Sequence, residues 1–132
     1  MTKKIILLML AIIAIAIPLS ADKKGKAKIQ FSEYTYDFGV IKEANGAVSH
    51  TFEFTNTGNA NLIITEVTAT CGCTRPEYPK EPIAPGKKGK IKITYNPLAR
   101  PGVIDRTITV KTNGSPKKVR LKIKGNVIPE EE

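Results

Sequence analysis

The chain has 132 residues, 25% of them charged and 41% hydrophobic, and carries a formal net charge of +9. That composition argues for one ordinary globular domain. With two cysteines and one histidine in all, a single chain cannot build the usual four-ligand zinc site from Cys and His alone; zinc would need a dimer or borrowed carboxylates.

The amino terminus reads as a targeting segment. Lys3 and Lys4 precede an unbroken apolar run from Ile5 to Ile17, followed by small residues at Ser20 and Ala21 and then by polar Asp22–Lys28. This is the layout of a secretory signal, and the run is short against the ~20 apolar residues of a membrane span. Residues 1–21 are expected to be a signal peptide cleaved after Ala21, with a retained anchor as the alternative. No cysteine stands near the cleavage point to accept a lipid, so no transmembrane span or lipid anchor is expected after cleavage. The product is expected to be exported, periplasmic or secreted. In such an oxidising compartment two cysteines are more readily paired than free.

Residues 22–28 are expected to form a flexible basic leader, 29–128 the domain, and 129–132 an acidic tail. Within the domain, apolar residues alternate with polar ones and turn residues recur every 8 to 12 positions or so, without a long helical period. "IQFS" and "YDFGVI" predict two short opening strands, with Gly39 suited to a bulge. "EANG" predicts a turn, Asn45-Gly46 being a strong hairpin signal. "AVSHTFEFTN" puts Val48, His50, Phe52 and Phe54 on one face. In "LIITEVTATC" the apolar parity switches between Ile64 and Val67, which predicts a bulge near Thr65. "KIKITYNP" turns Ile91, Ile93 and Tyr95 inward, "GVIDRTITVKTN" turns Ile104, Ile108 and Val110 inward, and "KKVRLKIKGNV" does the same with Val119, Leu121 and Ile123. The expected fold is all-β: an immunoglobulin-like β-sandwich of about seven strands. Cysteines two residues apart cannot form the inter-sheet disulfide of antibody domains.

"FGVI", "FEFTNTGNANLIIT", "TCGCTRPEYPKEPIAPGKKGKIKITYNP", "RPGVIDRTITVKTN" and "VRLKIKGNV" together resemble the bacterial family called domain of unknown function 1573. That family is itself similar to the ASH (ASPM, SPD-2, Hydin) and major sperm protein modules. The resemblance runs from about Phe38 to Val127, its most particular elements being T-C-G-C-T at Thr70–Thr74 and P-I-A-P-G at Pro82–Gly86. It implies a seven-stranded immunoglobulin-like fold and an exported bacterial protein, and it supplies no activity or catalytic residue.

The Cys71-Gly72-Cys73 motif admits three readings. Side chains two apart on a strand share a face, and a bend at the intervening glycine could bring the sulfurs within bonding distance. The pair could then be a local disulfide that shapes a turn. It could also be a redox pair, since so short a ring gains little from loop closure and strained disulfides are the easily reduced ones. Or two thiolates could hold a soft ion such as Cu(I). A cysteine nucleophile is disfavoured: Arg75 and Lys80 could promote a thiolate, but His50 stands alone as a base without an orienting partner.

"RPEYPKEPIAPG" carries Pro76, Pro79, Pro82 and Pro85, a stiff connection expected to cross between sheets, with Tyr78 and Ile83 packed on the sandwich end. Lys90 and Lys92 on one strand, and Arg120, Lys122 and Lys124 on another, give outward basic faces that would merge if those strands were neighbours. Such faces suit an anionic polymer, lipid headgroups or an acidic partner, or they merely discourage edge pairing. No aromatic residue interleaves with the lysines, so nucleic acid is not expected. The sequence thus points to an exported, non-enzymatic binding or scaffold module without catalytic residues, cofactor or metal, contacting a protein or cell-envelope component. Its candidate surface is Arg75, Tyr78, Lys90, Lys92, Arg120, Lys122 and Lys124. The alternative is a thiol role, redox or Cu(I), at Cys71 and Cys73.

Overall fold

The computed structural model describes residues 25–129. The expected signal segment, the start of the leader and the end of the acidic tail lie outside the described residues. Eight strands run in chain order: β1 Ile29–Phe31, β2 Thr35–Lys42, β3 Val48–Asn56, β4 Ile64–Ala69, β5 Thr74–Glu77, β6 Lys88–Tyr95, β7 Gly102–Thr112 and β8 Lys118–Ile128. They form two four-stranded sheets, β1-β3-β6-β5 (sheet one) and β2-β8-β7-β4 (sheet two). Among the described residues no helix is long and apolar enough to cross a membrane.

Strand alternation decides which side chains meet. On β3 and β6 the antiparallel register sets Phe52 opposite Ile91 and Phe54 opposite Gly89. On β7 and β8 it sets Ile108 opposite Leu121 and Val110 opposite Val119. These inward residues join one continuous buried cluster that draws on both sheets. Gly89 belongs to this packing as well: a Cβ there would clash with the tip of the Phe54 ring, so the glycine makes room for an aromatic side chain from the neighbouring strand. The two expected bulges are present, as register shifts between Asp37 and Val40 and between Ile64 and Glu66. At the first, Gly39 takes φ +70° and donates its N–H to the Asp37 carboxylate at 2.7 Å.

Four expectations are corrected. Asn45-Gly46 does turn the chain, but β2 and β3 form no hairpin: β2 pairs in parallel with β8, so the turn carries the chain from one sheet to the other. The eighth strand, β5, lies in the stretch read as the beginning of the proline connection. Because Thr74 already pairs with Tyr95 of β6, that connection does not cross between sheets; it returns β5 to its own neighbour, and the crossing occurs earlier, at Cys71–Cys73. The leader is not free over its whole length either. Ala27 is buried, Lys26 N–H donates to the Asn59 side chain at 2.7 Å, and Ser115 N–H donates to the Ala27 carbonyl at 2.9 Å.

Asn56, the last residue of β3, ties these connections together. It is fully buried. Its side-chain amide donates to the carbonyls of Ala60 and Ile83, both at 2.8 Å. Its side-chain oxygen accepts from Gly58 N–H at 3.0 Å and Lys28 N–H at 3.3 Å. The Asn56 backbone adds bonds to Lys87 and Gly86. One side chain therefore fixes the end of β3, the leader and the return of the proline loop. Each buried group left unpaired costs ~1–3 kcal/mol. Asn56→Ala should accordingly lower unfolding free energy by at least about 2 kcal/mol in urea titration, and a loss below about 0.5 kcal/mol would contradict this role.

Candidate functional site

Two features gather the sequence-predicted residues: the cysteine turn and the groove beside the proline loop. Strand β4 ends at Ala69, so Cys71 and Cys73 lie in a turn rather than on a strand. They are joined by a disulfide with their Cα atoms 5.2 Å apart. Two steps along an extended strand would span about 6.6 Å, so the backbone bends at Gly72, as the motif suggested. The turn is stitched to both sheets. Thr70 N–H donates to the Thr107 carbonyl of β7 at 3.2 Å, and Asn96 N–H, just beyond β6, donates to the Cys73 carbonyl at 2.9 Å. The two sulfurs are not equivalent. Cys73 is buried, 6% exposed, whereas Cys71 is half-buried at the rim. Cys73 N–H donates to Cys71 Sγ at 3.0 Å, and the Thr74 hydroxyl lies 3.6 Å from Cys73 Sγ.

The side of sheet one carries four of the seven predicted binding residues, Arg75, Tyr78, Lys90 and Lys92. Register places Arg75 beside Thr94, Glu77 beside Lys92, and Lys90 beside Glu53. Tyr78, Pro79, Lys90 and Lys92 line, with Thr51 and Glu77, an open groove of about 680 Å³. Lys80 sits with its ammonium 3.5 Å over the Tyr78 ring, an arrangement favoured by the negative face of the aromatic system. The far end of the loop is anchored by Ile83 and Leu62, which exchange two backbone hydrogen bonds of 2.8 Å. Leu62 is itself wholly buried. Loop and strand thus present a preformed surface.

Arg120, Lys122 and Lys124 are not part of it. Their strand, β8, pairs with β2 and β7, so they project from sheet two on the opposite side of the sandwich, and the merged basic patch does not form. Acidic neighbours also moderate that second face: Lys122 meets Asp105 at 3.4 Å, and Lys124 stands in register between Asp37 and Asp105.

His50 has partners of its own. Its Nε2 bonds to the Glu33 carboxylate, and its ring stacks on Tyr36 with centroids 3.6 Å apart and meets the edge of Phe52. It lies on β3, with β6 between it and the strand that follows the cysteine turn, so the structure does not bring the histidine to the thiols.

Sequence reading missed two further features. Arg106 shares the inward parity of Ile104 and Ile108, and its Nε is buried with no hydrogen-bond partner among the described residues. The signal was its place in the alternation, masked by its charge. Val40 and Val103, 66% and 78% exposed, flank Asn126 on the outer face of sheet two. Val103 was legible as an aliphatic on the polar parity of Asp105, whereas Val40 shares the parity of Tyr36 and Phe38 and is turned outward by the bulge at Gly39.

A family model described as "Protein of unknown function (DUF1573)" matches residues 29–127. The chain belongs to that family. No curated protein matches it. Among solved structures, a protein of unknown function from Porphyromonas gingivalis W83 is similar with a TM-score of 0.64 and 18% identity, over 84% of this chain and 50% of that one. The ASH/PapD-like domain 7 of human CEP192 is similar with a TM-score of 0.65 and 12% identity, over 89% and 97%. The secreted serine protease VesC from Vibrio cholerae gives 0.56 and 14%, over 81% and 24%. The chain therefore spans half of the Porphyromonas protein and about a quarter of VesC. At these identities the likeness establishes the fold, an immunoglobulin-like sandwich of the ASH/PapD type.

In this DUF1573 domain the disulfide closes a ring spanning only Cys71, Gly72 and Cys73. The chain-entropy relation gives so short a loop about 1.6 kcal/mol, less than the ~3–5 kcal/mol lost when a buried Phe is cut to Ala. The double variant Cys71→Ala/Cys73→Ala should therefore lose no more than about 2 kcal/mol in urea unfolding, while Phe52→Ala loses clearly more. A larger loss from the cysteine pair would make the bond a structural staple.

Proposed function

We propose that this chain is an exported, non-enzymatic β-sandwich module that binds another protein or a component of the cell envelope through the groove beside its proline loop. The observation that carries this reading is the convergence of Tyr78, Lys90 and Lys92 on one open groove whose wall is held by Asn56 and the Leu62–Ile83 bridge. Prolines limit the conformations the loop loses on binding, and a rigid scaffold presenting a fixed loop is a common basis for recognition. An aromatic ring beside basic side chains suits a partner with acidic and apolar groups. Export is supported by the basic start, apolar run and small residues of the first 21 positions and by the closed disulfide. The reading includes no nucleic acid, cofactor or resident metal.

A second reading, thiol chemistry at Cys71 and Cys73, is favoured by the bond between them and its position at the rim. Reversible oxidation uses the pair directly. Cu(I) capture would need it reduced first, since thiolates are the ligands.

The two basic faces give the binding reading an internal control. In cross-linked pull-downs from the native envelope, Lys90→Glu/Lys92→Glu should reduce the captured partner about tenfold, the equivalent of ~1.4 kcal/mol. Lys122→Glu/Lys124→Glu, on the opposite face, should leave capture unchanged. Equal losses from the two pairs, or none from either, would remove the groove from the function.

A further inference from the structure

We infer that the Cys71–Cys73 disulfide is an electron acceptor for a protein carrying two neighbouring thiols, with Cys71 the sulfur attacked and Cys73 the sulfur released. This rests on the thiol reading above and adds the direction, the division of roles and the substrate class.

The asymmetry of the turn supplies the argument. Thiol–disulfide exchange proceeds by attack of a thiolate on one sulfur while the other leaves, so access chooses the first and anion stabilisation the second. Cys71 is half-buried at the rim and Cys73 is buried. Gly72 between them is exposed, and a Cβ placed there would meet nothing within 4 Å. The turn is therefore open at Gly72 and partly accessible at Cys71, while Cys73 is withdrawn from an incoming thiolate. The leaving sulfur has a donor in place: the Thr74 hydroxyl, itself in a buried residue, lies 3.6 Å from Cys73 Sγ. Hydrogen bonds to an ionised acceptor are stronger than neutral ones, so this contact favours Cys73 as the departing thiolate. Cys71 also accepts Cys73 N–H at 3.0 Å, so both sulfurs have a donor for the thiolate state and it is access that makes Cys71 the sulfur attacked first. The same donor stabilises Cys71 when it is later released. Beside the turn, the loop following β6 is tied to Cys73 through Asn96 and carries Leu98, 64% exposed, an apolar contact for a protein substrate.

The step balances. One substrate thiolate attacks Cys71 Sγ, forming a mixed disulfide and breaking the Cys71–Cys73 bond, whose electron pair leaves on Cys73 Sγ. The second substrate thiolate attacks the substrate sulfur of the mixed disulfide and expels Cys71 Sγ as a thiolate. Two electrons pass from substrate to protein, and the two protons shed by the substrate thiols are replaced from water on Cys71 and Cys73. The substrate leaves with a disulfide and the protein with two thiols.

The test mixes the oxidised full chain with a synthetic peptide bearing two reduced cysteines, quenches with acid at short times, and locates the mixed disulfide by mass spectrometry. Adduct on Cys71 at least tenfold over Cys73, with peptide disulfide accumulating as protein thiols appear, is the expected result. Thr74→Val should slow adduct formation about tenfold by weakening the leaving sulfur, and Thr74→Ser should restore it. Adduct on Cys73, or on both equally, overturns the inference while leaving the pair redox-active. A protein that stays oxidised in large excess of peptide overturns the inference and the redox reading together. If the protein reduced by a strong chemical reductant then holds Cu(I), only the metal version of the thiol reading survives.

Discussion

Phe52, Phe54, Ile91, Ile93 and Tyr95 of one sheet and Ile104, Ile108, Val110, Leu121 and Ile123 of the other are almost wholly withdrawn from water. Burying a side chain of this size is worth ~1.5–3 kcal/mol, and their collective withdrawal is the dominant favourable contribution to the fold. Either face alone would be an exposed apolar surface. Together they exclude water, and the backbone polar groups between them are satisfied by the ladders of each sheet.

Once the two faces must meet, the chain has to pass between sheets at their ends, and each passage has a physical signature. Gly46, at φ +80°, closes the passage from β2 to β3. Buried Asn56 supports the one from β3 to β4. The passage from β4 to β5 has only residues 70–73 between strands, and it is here that the disulfide sits. The bond thus occupies the corner of a sandwich that has its own means of holding together. A covalent link that stabilises little can open and close without unfolding its host, which is the condition a reactive disulfide requires. The proline loop, by contrast, remains within one sheet, so its rigidity shapes a surface rather than a crossing.

Much of this was legible in the residues. Period-two patterning located the inward positions of β3, β6, β7 and β8 because each strand has one apolar face, and a one-residue slip would reverse it. The switch of parity after Ile64 revealed a bulge for the same reason. Pairing was not legible. Asn45-Gly46 carries a hairpin's turn chemistry, but whether the flanking strands pair depends on β8, more than seventy residues away in sequence. Strand β5 was hidden because Pro76 and its neighbours read as loop, although a proline can sit on an edge strand. The division of the basic residues between opposite faces likewise depended on strand order, which alternation along a strand does not encode. At the cysteines, spacing and Gly72 indicated the bend, while the difference between a buried and a rim sulfur arose only from the way the corner packs.

The central claim is that sheet-to-sheet burial, not the disulfide, maintains the domain. Amide hydrogen exchange compared between the oxidised protein and the protein held in reductant tests it most directly. The account predicts that amides of β3, β6, β7 and β8 keep their protection on reduction, with faster exchange confined to residues 70–74 and the adjoining loop at 96–100. Loss of protection throughout both sheets on reduction would contradict it.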